Sequence, residues 1–200
     1  GGFDVVIGNP PYVRQELLGQ LQKDFFSVKY KNVYNGIADL YVYFYELSFK
    51  ILKIDGKMGF ITPNKWLERK YGFELRNYLI QLRIEEIVNL NKMSIFDDAI
   101  ADPSIFIFTN SIDVNCSLKY KCPSNIEEFF NDKSENFEKD KLEKDMWRFS
   151  SNKNQGIIDK FKGGEITLKE YTKGGVYYGI KTGLNQAFII NESDREKIIV

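Results

Sequence analysis

The residues best suited to chemistry form one turn, Asn9-Pro10-Pro11-Tyr12, which closely follows the β-branched run Phe3–Ile7. The prolines remove two backbone N–H donors and fix two φ angles, so we expect the Pro10 carbonyl to stay outside a strand ladder, beside the Asn9 side chain. These two oxygen acceptors match the two N–H donors of a planar amine, such as the exocyclic amine of adenine, and Tyr12 offers a face for stacking. The turn therefore predicts a site for an aromatic amine, although the same residues also suit an ordinary surface turn.

An amine conjugated with an aromatic ring is a weak nucleophile, because its lone pair is delocalised into the ring. Hydrogen bonds to both N–H groups favour the pyramidal geometry in which that lone pair attacks an electrophile such as the methyl group of a sulfonium. Positioning and stabilisation of the developing positive charge would carry such a reaction, and no strong base is needed. The composition agrees, because a chain without His has no His general base, His-based triad or His-ligated zinc.

The elements around this turn alternate between strands and helices. Apolar runs predict four strands, at Phe3–Ile7, Met58–Thr62, Ile84–Leu90 and Ser104–Thr109. Apolar residues spaced three or four apart predict one helix from Asp39 to near Lys53 and another at Trp66–Leu82. This alternation is typical of an α/β fold with a parallel sheet and helices on both faces, whose ligands bind beyond the carboxyl ends of the strands.

The chain of 200 residues has room for one domain and part of a second. Residues 127–145 carry eight acidic and four basic side chains, which predicts an exposed helical or loosely ordered connector. We therefore expect an α/β domain at residues 1–125, a charged connector at 126–150 and the beginning of a second domain at 151–200.

Metal and membrane sites have little support in the sequence. Cys116 and Cys122 lack the neighbouring ligands of a zinc site, so we expect no bound metal. No apolar run reaches the roughly 18 residues of a membrane span, and no secretory leader opens the chain, so we expect a cytoplasmic protein without a membrane partner.

Because 28 basic residues balance 28 acidic ones, any contact with nucleic acid must come from local patches.

The segment Phe3–Tyr12 resembles catalytic motif IV of the amino-group DNA methyltransferases, specifically the adenine-N6 enzymes of restriction-modification systems. Further segments are similar to motifs V, VI and VIII of that family in the same order: Asp39–Tyr41, Gly59–Leu67, and Phe96 with the strand Ser104–Thr109. Tyr177–Phe188 is similar to the opening of the TaqI-like C-terminal specificity domain. The chain thus resembles a type IIG restriction-modification polypeptide, or a related phage-defence protein, from motif IV onward.

This resemblance implies the C-terminal half of a doubly wound, Rossmann-like, S-adenosylmethionine-dependent methyltransferase sheet. The implied reaction is methyl transfer to the N6 amine of a flipped adenine in duplex DNA. Carried over by position, Asn9 and the carbonyl of Pro10 would hold the amine, with Pro11 completing the motif. Tyr12 and Phe96 would stack on the two faces of the base, although Phe96 equally suits a core position at a strand end.

The resemblance also suggests DNA contacts in the tail. Lys181, Thr182 and Asn185 are candidate DNA-binding residues on this ground, although such residues more often form a solvated turn. An endonuclease domain in the same polypeptide is a further expectation of the family.

The family's glycine-rich cofactor motif precedes motif IV, whereas only Gly1 and Gly2 precede the first strand here. We therefore expect most S-adenosylmethionine contacts to lie upstream, the 200-residue chain alone to be inactive, and its bare sheet edge to favour self-association. Two other functions stay open. A protein-glutamine or RNA methyltransferase faces the same chemical problem, and a non-catalytic DNA-binding module would use the same fold.

Overall fold

The computed structural model describes residues 1–93, 95, 102–113, 117–131, 133–143, 145–149, 166, 168–173 and 175. Its strands are β1 (Phe3–Gly8), β2 (Leu52–Pro63), β3 (Leu82–Asn89), β4 (Pro103–Ile112), β5 (Ser117–Lys121) and β6 (Glu135–Glu138). Its α-helices are α1 (Gln20–Lys29), α2 (Tyr41–Ile51), α3 (Phe73–Leu79), α4 (Ile126–Phe130) and α5 (Leu168–Tyr171). The sheet belongs to one compact unit, Gly1–Phe149, and α5 to another, Ser150–Val200.

The described strands form one mixed sheet in the order β1-β2-β4-β3-β5-β6. Strands β1, β2, β3 and β5 run in the same direction, whereas β4 lies antiparallel between β2 and β3, and β6 is antiparallel to β5. The predicted α/β class is confirmed, but the prediction of a wholly parallel sheet is wrong. A parallel pair usually needs a helical crossover, and the sequence has no helical pattern between β3 and β4.

The hydrophobic core lies between one face of the sheet and the helices α2 and α3. Tyr45 of α2 packs edge-on against Phe60 and Phe106, with ring centroids 5.4 and 6.3 Å apart. Phe49 of α2 packs against Tyr78 of α3 with ring centroids 6.0 Å apart. Aromatic side chains from helices and strands therefore fix α2, which precedes β2, over the middle of the sheet.

Strand β1 is an edge strand, with β2 as its one neighbour among the described residues. A β-branched apolar run such as Phe3–Ile7 is typical of a buried strand, but Val5 and Ile7 are 54% and 82% exposed. Val6, paired with the buried Met58, packs against the core, so Val5 and Ile7 lie on the opposite face of the sheet. The outer side of β1 is thus apolar and accessible.

The segment predicted as a helix at Trp66–Leu82 is built differently. It begins with two 3-10 turns, Lys65–Leu67 and Lys70–Gly72, and only α3 is α-helical. Arg76 is 1% exposed, and its guanidinium donates to the backbone carbonyls of Trp66 and Arg69. In a continuous helix these carbonyls would instead accept from backbone N–H groups. A Cβ on Gly72 would lie 2.0 Å from the Trp66 carbonyl oxygen, so this bend requires glycine.

Part of the acidic segment at 127–145 has regular structure. The side chain of Asn125 caps α4 by accepting from the Glu128 N–H at 2.9 Å, and β6 pairs with β5. Trp147, 1% exposed, donates its backbone N–H to the Leu67 carbonyl at 2.8 Å. The domain limits at 125 and 150 stay a prediction. Within the described ranges, no helix is long and apolar enough to cross a membrane.

Candidate active site at the carboxyl edge of the sheet

The Asn9–Tyr12 turn lies where β1 ends, on the edge that also holds the carboxyl ends of β2, β3 and β5. Pro10 is buried, whereas Asn9 is exposed. The Asn9 amide forms no hydrogen bond with another described residue, so its oxygen is free to accept from a ligand. A Cβ on Gly8 would lie 3.2 Å from the Phe60 ring, which shows how closely the chain entering the turn approaches β2.

Tyr12 is anchored to the neighbouring strand. Its hydroxyl donates to the backbone carbonyl of Ile61 in β2 at 3.2 Å, and its ring contacts that of Tyr41 edge-on, with centroids 6.3 Å apart. Burial raises the pKa of the Tyr12 hydroxyl, so it stays protonated and able to donate at neutral pH. Tyr12 remains 38% exposed, which leaves surface for a ligand.

Asp39 holds the chain that follows the turn. Its Oδ1 accepts from the backbone N–H of Gln15 at 3.0 Å, and the Leu40 N–H donates to the Val13 carbonyl at 3.0 Å. Burial raises the pKa of the Asp39 carboxyl, and the Gln15 N–H opposes that rise. The sequence identified Asp39 as the acidic start of a helix, and the structure shows that its carboxylate also connects the beginning of α2 to the chain that follows the Asn9–Tyr12 turn.

A cavity of about 310 Å³ opens beside the turn. Its walls are the end of β1, the first three residues of the turn, one side of α2 and a residue of β2: Val6, Ile7, Gly8, Asn9, Pro10, Pro11, Phe44, Leu47, Ser48, Ile51 and Phe60. None of these side chains is charged. The cavity therefore suits an apolar or aromatic group placed against the Asn9 amide.

A second, polar depression lies further along the same edge; we call it the amide cleft. It has a volume of about 300 Å³ and is lined by Asn64, Lys65, Leu67, Glu68, Arg69, Asn89, Asn91, Asp102, Tyr120, Trp147 and Phe149. The Asn64 Nδ2 donates to the Asn89 Oδ1 at 3.5 Å, and the Asn89 Nδ2 donates to the Tyr120 hydroxyl at 3.4 Å. The rings of Tyr120 and Phe149 stack 4.6 Å apart at 9°.

The structure thus brings three of the predicted site residues, Asn9, Pro10 and Pro11, together on one cavity wall, with Tyr12 next in the chain. The other predicted residues, Phe96, Lys181, Thr182 and Asn185, lie outside the described residues. Among the residues the structure describes, no group of three or more His, Cys, Asp and Glu side chains is arranged to hold a metal ion.

Sequence reasoning missed three features of this edge: the bond between Asp39 and Gln15, the Ile61 carbonyl as the Tyr12 acceptor, and the amide cleft. A backbone acceptor leaves no mark in the residue types. The cleft had a weak signal, because Asn64 and Asn89 each stand at the end of an apolar strand, where ligands of α/β sheets bind.

A known family model matches the segment that contains the turn. Residues 1–96 match the family model described as Eco57I restriction-modification methylase. This segment is therefore similar to an Eco57I-type restriction-modification methylase domain. The matched segment includes β1, the Asn9–Tyr12 turn, α2, β2 and β3, and therefore the whole cavity wall described above.

Curated relatives extend this likeness. The Type II methyltransferase M.XhoI of Xanthomonas vasicola is 45% identical over 74 residues, which cover 37% of this chain and 13% of that protein. The Type II restriction enzyme and methyltransferase RM.Eco57I of Escherichia coli is 27% identical over 206 residues, covering 97% of this chain and 20% of its own length. The chain thus spans a fifth or less of these two relatives.

Solved structures agree on the fold. A chain from a type I R-M system superposes with a TM-score of 0.59 and 15% identity, over 80% of this chain and 42% of that one. A proposed class I S-adenosylmethionine-dependent methyltransferase from Listeria monocytogenes superposes with a TM-score of 0.50 and 18% identity, over 62% of this chain and 38% of that one. The predicted fold class is confirmed: the α/β sheet is of the Rossmann-like type found in class I S-adenosylmethionine-dependent methyltransferases.

Proposed function

We propose that the protein methylates the N6 amine of an adenine flipped out of duplex DNA, as part of a restriction-modification enzyme. The observation that carries this proposal is the exposed, unbonded amide of Asn9 on the cavity wall, beside a tyrosine fixed to β2. The match of residues 1–96 to a restriction-modification methylase family supports the choice of reaction.

In this proposal the Asn9 Oδ1 and the Pro10 carbonyl accept the two hydrogen bonds of the adenine amine. Both acceptors favour the pyramidal nitrogen and stabilise the positive charge that develops on it during attack. Tyr12 stacks on one face of the base and Phe96 on the other. Each stacking contact contributes about 1 to 3 kcal/mol, which offsets much of the few kcal/mol needed to flip the base.

S-adenosylmethionine is the proposed methyl donor, and the cavity fits only part of it. Bound there, the cofactor would supply an electrophilic methyl group. The uncharged walls, including Phe44, Leu47 and Ile51, suit its apolar portion next to Asn9, whereas its carboxylate and ammonium groups need charged partners that the described walls of this cavity lack. We therefore propose that residues outside this chain bind those groups, so that the 200 residues alone are inactive.

Two further proposals concern partners. Duplex DNA is the proposed macromolecular substrate, with Lys181, Thr182 and Asn185 contacting it from the C-terminal tail. An endonuclease domain in the same polypeptide would complete the restriction activity, as the combined name of the relative RM.Eco57I suggests for that protein.

The test is methyl transfer by the protein at its natural length, followed by nucleoside analysis of the DNA. We expect N6-methyladenine, and we expect Asn9→Ala to lower its formation by about 100-fold or more, the effect of removing one hydrogen-bonding group from a transition-state site. Asn131→Ala, which removes an exposed amide after α4, is the control and should leave the rate unchanged. Methylation of cytosine, RNA or protein in place of adenine would overturn the proposal, as would an unchanged rate for Asn9→Ala.

A further inference from the structure

The amide cleft has the chemistry of a nucleotide-binding site. We propose that it binds one nucleotide of the DNA molecule that carries the target adenine, with the base held by the asparagine amides and the aromatic pair and the phosphate held by Lys65 and Arg69. This inference rests on the proposed function for its source of nucleotides. It concerns residues that the reaction at Asn9 does not use.

The amides of the cleft have unused hydrogen-bonding capacity. An asparagine side chain offers two N–H donors and two acceptor lone pairs, and this pattern matches the edge of a nucleobase. The bonds from Asn64 to Asn89 and from Asn89 to Tyr120, at 3.5 and 3.4 Å, lie at or beyond the long end of hydrogen-bond distances and are therefore weak. The Asn89 Oδ1 also accepts from the Asn91 backbone N–H at 3.1 Å, so a base edge would replace only the two long bonds.

The charges of the cleft suit a single nucleotide. Lys65 and Arg69 are exposed and form no ion pair with a described acidic residue, so both are available to a phosphate. Glu68 and Asp102 line the same cleft and balance these two cations. Binding of a long stretch of DNA backbone would need a surface with a net positive charge. Binding of one phosphate needs only the two cations Lys65 and Arg69.

The aromatic pair gives a platform for the base. Tyr120 and Phe149 stack in parallel and both line the cleft, next to the amide that Asn89 directs at the Tyr120 hydroxyl. Stacking on aromatic side chains is tolerant of base identity, whereas amide contacts distinguish one base edge from another. The combination of both is what recognition of an individual nucleotide requires.

The position of the amide cleft allows one DNA strand to pass both the cleft and the cavity at Asn9. Ile61, which accepts from Tyr12, and Asn64 are three residues apart, and at a strand rise of about 3.3 Å per residue they lie about 10 Å apart. Because DNA rises 3.4 Å per nucleotide in one strand, that separation corresponds to about three nucleotide steps. A flipped base at Asn9 and a nearby nucleotide in the amide cleft are therefore within reach of the same DNA.

The experiment measures binding of two fluorescent single-stranded deoxyoligonucleotides of equal length to the protein at its natural length. One carries all its bases, and the other is abasic throughout. We expect the wild type to bind the base-containing probe more tightly. Asn91→Ala should weaken that binding at least about fivefold and leave the abasic probe unaffected, because an amide contact to a base edge is lost. Arg69→Ala should weaken both probes.

Lys29→Ala is the matched control, since it also removes one exposed cation; Lys29 ends α1, outside the sheet edge that holds the cleft. It should bind both probes within twofold of the wild type. The inference is overturned if Asn91→Ala and Arg69→Ala both bind like Lys29→Ala, or if the wild type binds neither probe.

Formation of N6-methyladenine, measured on the same preparations, separates the two proposals. If the wild type methylates adenine while the cleft variants bind normally, only the cleft inference fails. If the cleft variants bind weakly while the wild type makes no N6-methyladenine, the cleft inference stands and the proposed function fails.

Discussion

Tyr12 combines an accessible ring with a hydroxyl that is already bonded to β2. If the ring stacks on the base, Tyr12→Ala should cost about 1 to 3 kcal/mol of transition-state stabilisation. Tyr12→Phe keeps the ring and loses only the bond to the Ile61 carbonyl, a net contribution of about 1 kcal/mol. We therefore expect kcat/KM for DNA methylation to fall less than tenfold in Tyr12→Phe and further in Tyr12→Ala.

A fluorescent base analogue at the target position gives an independent measurement of this stacking. Its emission in the complex should be lower with the wild type and with Tyr12→Phe than with Tyr12→Ala, because an aromatic ring stacked on the flipped base quenches it. Equal defects in the two variants would show that the hydroxyl, and not the ring, is the functional part of Tyr12.

At this scale the sequence identified the residues of the turn, whose chemistry stays a prediction, but not the contacts that hold the turn in place. The Asn9–Tyr12 turn was predictable because its residue types, and not their surroundings, define two acceptors and an aromatic face. The roles of Asp39 and of the Ile61 carbonyl were not predictable, since both depend on which segments meet in the folded chain. A carboxylate at a helix start and one that holds a distant loop have the same appearance in a sequence.

Two neighbouring hydroxyls below the carboxyl edge give a prediction at the scale of elements. Thr62 of β2 pairs in register with Ser104 of β4, and both are fully buried. The Thr62 hydroxyl shares a hydrogen bond of 2.8 Å with the Tyr45 hydroxyl, which ties α2 to β2. The Ser104 hydroxyl has no hydrogen-bond partner among the described residues.

Thr62→Val should therefore lower the free energy of unfolding by about 1 to 3 kcal/mol, because it removes the hydrogen bond between the buried Tyr45 and Thr62 hydroxyls. Ser104→Ala removes a hydroxyl that has no partner among the described residues, so we expect the free energy of unfolding to be unchanged or slightly higher. Urea denaturation of both variants measures the difference. Equal losses in the two would mean that the hydrogen bond between Tyr45 and Thr62 does not stabilise the fold.

The elements themselves were predicted unevenly, and local chemistry explains the difference. Helix α2 was anticipated from its apolar spacing and begins and ends within two residues of the expected limits. The predicted helix at Trp66–Leu82 was too long, because the apolar pattern carries no information about Arg76, whose guanidinium bonds the carbonyls of a bent chain. The direction of β4 was not predicted, although the sequence between β3 and β4 has no helical pattern for the crossover that a parallel pair usually needs.

At the scale of the whole molecule, one face of the sheet near β1 carries exposed apolar side chains. Ile7, Gly59 and Ile107 are paired in register across β1, β2 and β4, and the exposed Val5 lies two residues before Ile7 on the same face. The outer backbone groups of β1 pair with no other described strand, which adds a sheet edge next to this face. Exposed apolar edge strands of this kind recruit another chain.

We therefore expect the 200-residue chain to self-associate in solution through β1 and this face. Ile7→Lys should lower the associated fraction, since a lysine on an edge strand opposes pairing. Leu21→Lys is the matched control, because Leu21 on α1 is 87% exposed, much like Ile7 at 82%. Light scattering over a concentration series measures the mass of each variant. A wild type that stays monomeric at every concentration, or a control that dissociates as fully as Ile7→Lys, would contradict this prediction.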